Sequence, residues 1–452
     1  MRISGVQRAP QSDSTTTFER LLQRRATEAV IWGIPVVRFD VMRQAFFRDA
    51  GATYGDISYW SKPADWKLQL ETPDIRSCYV YFNLNTTNGP VVVDVPVSSE
   101  SRVEGALYSA WEAPLIEIGG SRRANTTQGG RFLVLPPQYK GLIPSGFTAV
   151  RSESFNVRGM FSATSASPSS GRMPDLELVR KMHVYPFAQA FDPPAQRFID
   201  MSGKLFDAVV RFDDTFFESL ARMVHEEPVQ TRDLVAMNQI YSLGIQKNQR
   251  FEPDRATREV LRRTAEEVHT GLVKTKATGE RPWSTTHWIR SAVYPASTFS
   301  YESAARFGID EQNVRFHMAF RTHEKRQDPP PYLCAFCDAA GNPLLGERSY
   351  RLRVPALVPL KKDWEIAAYD LSTACFIRES PCVAIDSQST EAERNTDGSI
   401  DVYFGPTAPA GQERNWIYTT SGQRWFTLFR LYEPASPFFE KRWALPNLER
   451  CG

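Results

Sequence analysis

The chain has 452 residues, and its 54 basic and 52 acidic side chains give a formal net charge of +2. This near balance gives no electrostatic basis for nucleic-acid binding, which needs a concentrated basic surface. The most apolar run near the start, residues 29–37, is too short to span a bilayer, so no membrane partner is expected either. At roughly 100–200 residues per domain, the length predicts two to four domains.

The cysteines indicate a reducing compartment. They are spread along the chain without the dense spacing of a disulfide scaffold, at positions 78, 334, 337, 375, 382 and 451. No apolar stretch typical of a secretory signal follows Met1. We therefore predict a cytoplasmic protein with free thiols.

The first predicted element is helical. From Phe18 onward, apolar residues recur at helical spacing. Gly33 and Pro35 are expected to interrupt or kink this helix, because proline removes a backbone hydrogen bond. A second helical stretch is predicted at 36–47, and we assign residues 1–50 to an N-terminal helical arm.

The period then changes to that of strands. Residues rich in valine, tyrosine and phenylalanine predict strands at 79–82, 89–96, 129–136 and 147–151. Short strands at this spacing are typical of a β-sandwich or jelly roll. Residues 51–172 are therefore predicted to form a first sandwich lobe.

A helical segment follows at 173–300. Apolar residues at helical spacing predict three helices, at 213–225, 233–243 and 254–273. Strand patterns then return at 314–321, 332–338, 350–354, 364–370, 399–404 and 425–432. The predicted fold class is thus α+β and mainly β. Two jelly-roll-like β-sandwich lobes, the second at 301–452, are joined by the helical segment.

Common cofactor and nucleophile signatures are missing from the sequence. There is no glycine-rich dinucleotide or phosphate loop, no Gly-x-Ser-x-Gly elbow and no His-Glu-x-x-His. We therefore expect no cofactor and no metal. The pair Cys334 and Cys337 forms a lone CxxC, and structural zinc requires four ligands. Buried apolar thiols are favoured, with zinc or redox chemistry as alternatives.

Two polar residues have aromatic neighbours in sequence. Glu112 follows Trp111, and desolvation among aromatic rings would favour its protonated form and suit an acid or base; a surface or salt-bridged glutamate is the alternative. His287 lies between two tryptophans, as a proton carrier or as a packed, hydrogen-bonded histidine. Four residues share one face of the predicted strand at 314–321 and its extension: Arg315, His317, Arg321 and His323. This face is predicted either to bind an anion or to face solvent.

Over most of its length the chain resembles a tandem family built from two domains of unknown function, numbered 1254 and 1214. The resemblance rests on the runs 28–35 (EAVIWGIP), 89–96 (GPVVVDVP), 130–137 (GRFLVLPP), 338–346 (DAAGNPLLG), 364–370 (WEIAAYD), 397–404 (DGSIDVYF) and 429–434 (FRLYEP). One family motif departs here: Asp74, Arg76 and Ser77 stand where the family pattern has Asn, Asp and Thr. The resemblance implies two sandwich lobes joined by helices, and it implies no particular reaction.

Our main functional hypothesis is a cofactor-independent enzyme that acts on a small metabolite by acid–base chemistry, as an isomerase, cyclase, lyase or hydrolase, with specialised metabolism as one setting. The expected site is the cleft between the lobes. The predicted catalytic residues are Asp74, Glu112, His287 and Tyr369, and the predicted substrate-binding residues are Arg76, Trp111, Asp370 and Arg430. The alternatives are a non-catalytic protein that binds carbohydrate or a hydrophobic ligand, and a structural protein. A homodimer is left open.

Overall fold

The computed structural model describes residues 17–98, 101–119, 129–165, 176–275, 280–290, 332–389 and 391–451. Its helices are α1 (Thr17–Arg48), α2 (Leu176–Val179), α3 (Asp214–Glu226), α4 (Leu234–Tyr241), α5 (Arg255–Thr275) and α6 (Ser436–Phe439). Within these ranges, no helix combines the length and the apolar character that a membrane crossing requires. The predicted strand at 314–321 and its extension to His323 lie outside the described residues.

Helix α1 is continuous, so of the two predicted effects of Gly33 and Pro35, an interruption or a kink, the interruption is wrong. A proline inside a helix costs about 3 kcal/mol. Here both residues are buried, and α1 packs against α3 and α5. A Cβ atom at position 33 would lie 3.0 Å from Leu220 Cδ1 of α3, so glycine allows the two helices to approach closely. The burial of apolar residues along α1 against α3 and α5 offsets the cost of the proline.

The three predicted helices of the central segment are confirmed as α3, α4 and α5. Asp213 caps α3, because its Oδ1 accepts a hydrogen bond from the backbone N–H of Thr215 at 2.9 Å. Five apolar residues of α3 are buried, and the helix packs on α1 and α5. The helical segment and the N-terminal helix therefore form one packed layer.

Replacing the cap, Asp213→Ala, is expected to lower the free energy of unfolding by about 1 kcal/mol, since one N-terminal N–H loses its acceptor. Urea denaturation measures this change. Asp213→Asn is the matched control and should stay close to wild type, because asparagine also caps well. Equal destabilisation by both substitutions would mean that the cap is not the cause.

The first sandwich contains β1 (Ile57–Tyr59), β2 (Leu68–Gln69), β3 (Cys78–Asn85), β4 (Val91–Val95), β5 (Ser101–Ser109), β6 (Pro114–Ile118), β7 (Gly130–Leu135), β8 (Thr148–Arg151), β9 (Asn156–Ser165), β10 (His183–Pro186), β11 (Phe198–Asp200) and β12 (Phe206–Asp207). A six-stranded sheet, in the order β11-β1-β3-β9-β5-β6, packs on a four-stranded sheet, β10-β4-β7-β8. β2 and β12 form a separate pair.

The last three of these strands lie within the segment predicted as helical. β10 pairs with β4, β11 with β1, and β12 with β2, so the first sandwich extends to residue 207, past the predicted lobe end at 172. These strands are only two to four residues long. Such short strands leave almost no alternating pattern in the sequence.

The second sandwich contains β13 (Ile289–Arg290), β14 (Tyr332–Ala335), β15 (Tyr350–Val354), β16 (Trp364–Asp370), β17 (Ala384–Asp386), β18 (Ile400–Gly405), β19 (Trp416–Tyr418), β20 (Trp425–Leu431) and β21 (Glu449–Arg450). A five-stranded sheet, in the order β13-β14-β20-β16-β17, packs on a four-stranded sheet, β19-β18-β15-β21. The predicted fold class, two sandwiches joined by helices, is confirmed.

The two sandwiches meet through the outer faces of their larger sheets. One cluster of buried side chains joins Tyr81 and Met160 of the first lobe to Ala367 and Leu428 of the second, and Phe46 of α1 belongs to the same cluster. Among the described residues, much of the surface between the lobes is thus packed core instead of the expected open cleft. Polar side chains are concentrated at one edge of this core.

Candidate functional site

The polar edge begins with a cross-strand pair in the second lobe. Glu365 of β16 lies directly opposite Arg430 of β20, so both side chains project from the same face of the sheet. Arg430 donates from Nη1 to Glu365 Oε1 at 3.0 Å and to the Tyr369 hydroxyl at 2.6 Å. Glu365 and Tyr369 are completely buried, and Arg430 is 2% exposed. The sheet therefore holds a buried charge pair together with a phenol.

The first lobe completes this arrangement through the segment that precedes β3. Arg430 Nη2 donates to the carbonyl oxygens of Thr72 and Pro73, at 2.8 and 3.3 Å. The Tyr369 hydroxyl donates to the same Pro73 carbonyl at 2.6 Å. Thr72 has a φ of 45°, in the left-handed region that β-branched residues rarely adopt. The loop is thus held in an unusual conformation against the partner lobe.

Asp74 and Arg76 of this loop have different surroundings. The Asp74 carboxylate accepts hydrogen bonds from the backbone N–H groups of Arg76 and Ser77, at 2.9 and 2.6 Å, and from the hydroxyls of Ser77 and Tyr79. The Arg76 guanidinium forms an ion pair with Asp363 and lies 3.8 Å from the centroid of the Tyr432 ring. Asp74 therefore shapes the loop, while Arg76 reaches across to the second lobe.

We call this group of contacting side chains the interlobe charge cluster; it consists of Asp74, Arg76, Tyr79, Asp363, Glu365, Tyr369, Arg430 and Tyr432. Its depth varies. Glu365, Tyr369 and Arg430 are buried, whereas Asp74, Arg76, Tyr79 and Tyr432 are only partly buried. A buried charge pair is thus connected to a partly exposed rim of two tyrosines, an aspartate and an arginine.

Glu365 has the electrostatic property expected of a proton-transfer group. Burial raises its pKa from 4.5 to about 7, against the opposing attraction of Arg430 and with a further increase from the Asp74 charge. Burial likewise raises the pKa values of Tyr369, Tyr79 and Tyr432 above 10, so these phenols are protonated at neutral pH. The cluster therefore contains one group that can change its charge near pH 7.

Glu112 lies in a second cluster, on the face of the first lobe's six-stranded sheet that also carries Tyr79. It pairs with Arg158 of β9, and Arg158 is fully buried with its Nη1 3.0 Å from Met42 Sδ. Asn83, directly opposite Arg158, lies four residues along β3 from Tyr79, which is about 13 Å in an extended strand. Glu112 thus has no direct contact with the interlobe charge cluster.

The other three predicted residues lie elsewhere. Trp111 packs against Trp32 of α1 with ring centroids 4.8 Å apart. The Asp370 carboxylate accepts backbone and hydroxyl hydrogen bonds from Ser372 and Thr373, in a turn. His287 is held in the second lobe, where its backbone N–H donates to Asn447 Oδ1 at 2.7 Å. Of the eight predicted site residues, the structure brings four into one network: Asp74, Arg76, Tyr369 and Arg430.

Sequence reasoning missed four members of the network: Tyr79, Asp363, Glu365 and Tyr432. A usable signal existed for Glu365, because Glu365 and Tyr369 have the same parity in β16, whose other residues before Asp370 are apolar. A charged residue at such a position is buried on the same face as its neighbours and needs a partner. The identity of that partner, Arg430, is a property of strand pairing and is not visible in the local pattern.

The cysteine pair Cys334 and Cys337 has no further metal-ligating group arranged around it in the described part of the chain. Cys334 is buried, and burial raises its pKa to about 12; Cys337 is partly exposed. Across the described ranges, no group of three or more His, Cys, Asp or Glu side chains is arranged to hold a metal ion. Cys334 packs in the core between the lobes as a small apolar residue.

Two family models match the chain. The model described as "Protein of unknown function (DUF1254)" matches residues 56–186, and "Protein of unknown function (DUF1214)" matches residues 331–436. Together these matches cover just over half of the sequence. The chain belongs to the family that carries these two domains in tandem. The interlobe charge cluster takes three residues from the first domain and five from the second, so the site exists only where the two domains meet.

One solved structure of a similar protein supports the fold. The crystal structure of the VPA0106 protein from Vibrio parahaemolyticus is similar with a TM-score of 0.52 and 13% identity, over 95% of this chain and 100% of that one. An uncharacterized protein from Burkholderia cenocepacia aligns with a TM-score of 0.39 and 12% identity, over 96% of this chain and 95% of that one. No curated protein sequence matches the chain. At such identities the first similarity concerns the fold alone.

Proposed function

We propose that this tandem-domain protein is a cofactor-independent enzyme that performs acid–base chemistry on a small metabolite at the interlobe charge cluster. In this proposal Glu365 takes up and returns the proton. The observation that carries it is a fully buried carboxylate with a pKa of about 7, placed between an arginine and two tyrosines where the domains meet. A general base works best when its pKa lies near the working pH.

The hydrogen bonds of Glu365 leave one of its oxygens weakly engaged. Oε1 accepts from Arg430 at 3.0 Å, but the contacts of Oε2 to the Ile75 N–H and the Tyr432 hydroxyl are longer, at 3.3 and 3.4 Å. Tyr432 is partly exposed and touches Glu365. Tyr432 is therefore suited to pass a proton between a substrate at the rim and the buried carboxylate.

The remaining polar groups fit binding and positioning roles. Arg76 retains 21% side-chain exposure beside its ion-pair partner Asp363, so it can contact an anionic substrate group at the rim. Arg430 is fully engaged by Glu365, Tyr369 and two backbone carbonyls, which suits positioning. Asp74 also positions, because its carboxylate already accepts four hydrogen bonds. We therefore assign the role of base to Glu365 in place of Glu112 or Asp74, the two carboxylates predicted from sequence.

The alternative of a carbohydrate-binding protein finds no support in the tryptophans. All ten lie in the described part of the chain, and none is exposed. Six of them are buried core residues: Trp32, Trp60, Trp283, Trp288, Trp364 and Trp425. A sugar-stacking platform requires an indole face open to solvent. Of these two hypotheses, the geometry therefore favours the acid–base enzyme over the carbohydrate-binding protein.

The experiment is an untargeted conversion screen. The purified full-length chain is incubated with small-metabolite mixtures at pH 8, and the changes in substrate and product masses are compared for wild type, Glu365→Gln and Glu391→Gln. Glu391 is an exposed glutamate of the same domain and serves as the matched control. We expect conversion by wild type and by Glu391→Gln, and its loss in Glu365→Gln. Conversion that persists in Glu365→Gln contradicts the proposal.

A further inference from the structure

A cleft outside the interlobe charge cluster lies between α1, α3 and the segment 205–211. Its cavity volume is about 440 Å³, which falls in the range of pockets that hold small molecules. Its lining shares no residue with the interlobe charge cluster. A ligand bound here is therefore independent of the proposed chemistry.

Three walls of this cleft follow regular periods. Val37, Val41, Gln44 and Arg48 lie on one face of α1, at intervals of three and four residues. The segment 205–211 contributes every second residue, as an extended chain does: Leu205, Asp207, Val209 and Arg211. α3 supplies Thr215, Phe216, Glu218, Ser219 and Arg222. The exposed Leu205 and the partly exposed Val41 and Val209 give the cleft an apolar strip, while Val37 and Phe216 lie beneath it as buried core residues.

The lining also carries six charged side chains, and five of them are engaged. The pairs are Arg48 with Asp49, Asp207 with Arg378, Glu218 with Arg258, and Arg222 with Asp40. The sixth, Arg211, is exposed and has no ion-pair partner among the described residues. One cation without an ion-pair partner in the described part of the chain therefore lies beside the apolar strip of the cleft.

We propose that this cleft binds a small amphipathic monocarboxylate, with its apolar body along Val41, Val209 and Leu205 and its carboxylate on the Arg211 guanidinium. A planar guanidinium matches a carboxylate with two parallel hydrogen bonds. Asp49, Asp207 and Glu218 also line the cleft. These acids disfavour a multiply charged ligand such as a phosphate ester, because only one cation is available to offset its charge.

The test is calorimetric titration of the full-length chain with octanoate, at concentrations below micelle formation. Wild type should bind with a Kd of about 1 mM or tighter, given the small size of the ligand. Arg211→Gln should weaken binding about tenfold, since it removes a charge-assisted contact at a partly solvated site. Ser219→Phe should weaken it as well by filling the cleft from α3. 1-Octanol should bind equally to wild type and Arg211→Gln.

The matched control is Arg250→Gln, another exposed arginine, which pairs with Glu252 outside the cleft. This variant should bind octanoate as wild type does. No binding by wild type, or an equal effect of Arg211→Gln and Arg250→Gln, overturns the proposal. The cleft and the interlobe charge cluster share no residue, so Glu365→Gln should still bind octanoate. Octanoate binding therefore tests this proposal separately from the conversion screen.

Discussion

Glu365→Gln is expected to lower kcat/KM by about 10²–10⁴-fold, the usual contribution of a general acid or base. The amide keeps the size of the carboxylate but cannot exchange a proton. Wild-type kcat/KM should rise as the pH increases through about 7, where Glu365 loses its proton, and then level off. Both effects are measured with the substrate found in the conversion screen, over pH 5–9.

The same substitution has a separate signature in stability. A carboxyl group whose pKa is raised on folding, from 4.5 to about 7 for Glu365, contributes stability that is fully present below pH 4.5 and is lost as the pH rises through 7. Glu365→Gln removes this dependence, so the difference between the two chains should change by roughly 3 kcal/mol over that window. Parallel stability curves for wild type and variant would show that Glu365 titrates normally.

Glu112→Gln distinguishes the two clusters on the sheet face. The aromatic neighbours of Glu112 in the sequence predict a catalytic role for it. In the structure it pairs with the buried Arg158, outside the interlobe charge cluster. If the proposal is correct, Glu112→Gln changes stability but leaves the pH profile of kcat/KM with its inflection near 7. A lost inflection in Glu112→Gln, with an unchanged profile in Glu365→Gln, would move the active site to the second cluster.

The sequence predicts most of this fold because most of its elements carry a local pattern. The strands at 350–354 and 364–370 coincide with β15 and β16, and α3 (Asp214–Glu226) lies within one residue of the predicted helix at 213–225. The continuous α1 is not predictable in this way, since Pro35 is tolerated through packing that other parts of the chain supply. The edge strands β10, β11 and β12 are not predictable for a related reason. Each is too short to carry a pattern and is held mainly by its pairing with another strand.

The candidate site is predictable only in part, for the same physical reason. The structure joins four polar residues that lie in the sequence segments similar to the tandem family: Asp74, Arg76, Tyr369 and Arg430. Glu365 and Arg430 are 65 residues apart and meet only because β16 and β20 pair in one register. Aromatic neighbours in sequence, which pointed to Glu112 and His287, indicate burial and say nothing about which groups converge.

The tandem arrangement of the two domains follows from these contacts. Arg430 of the second domain satisfies the carbonyls of Thr72 and Pro73 in the first, and the Ile75 N–H of the first domain donates to Glu365 of the second. Either domain alone would expose these groups to water together with the apolar side chains of the core that the lobes share, and exposing that apolar surface is unfavourable. These contacts across the cluster therefore favour the two domains being present together.

Arg430→Met is expected to destabilise the chain by about 3–5 kcal/mol at pH 8, the usual cost of leaving one member of a buried ion pair without its partner. Methionine approximates the volume of the arginine stem, so the loss reports mainly on charge and hydrogen bonds. The cost should be smaller at pH 5, because Glu365 is then protonated and no longer needs a cation. Urea denaturation at both pH values measures the difference.

Arg351→Met is the matched control for this prediction. Arg351 also pairs with a glutamate across two strands, Glu449, but its side chain is 37% exposed and that of Glu449 is 62% exposed. Exposed pairs of this kind are worth only about 0–1 kcal/mol, so the control should change little at either pH. If Arg430→Met costs no more than Arg351→Met, or costs the same at pH 5 and pH 8, then Glu365 is not an ionised, buried partner of Arg430. In that case the acid–base role proposed for it has no electrostatic basis.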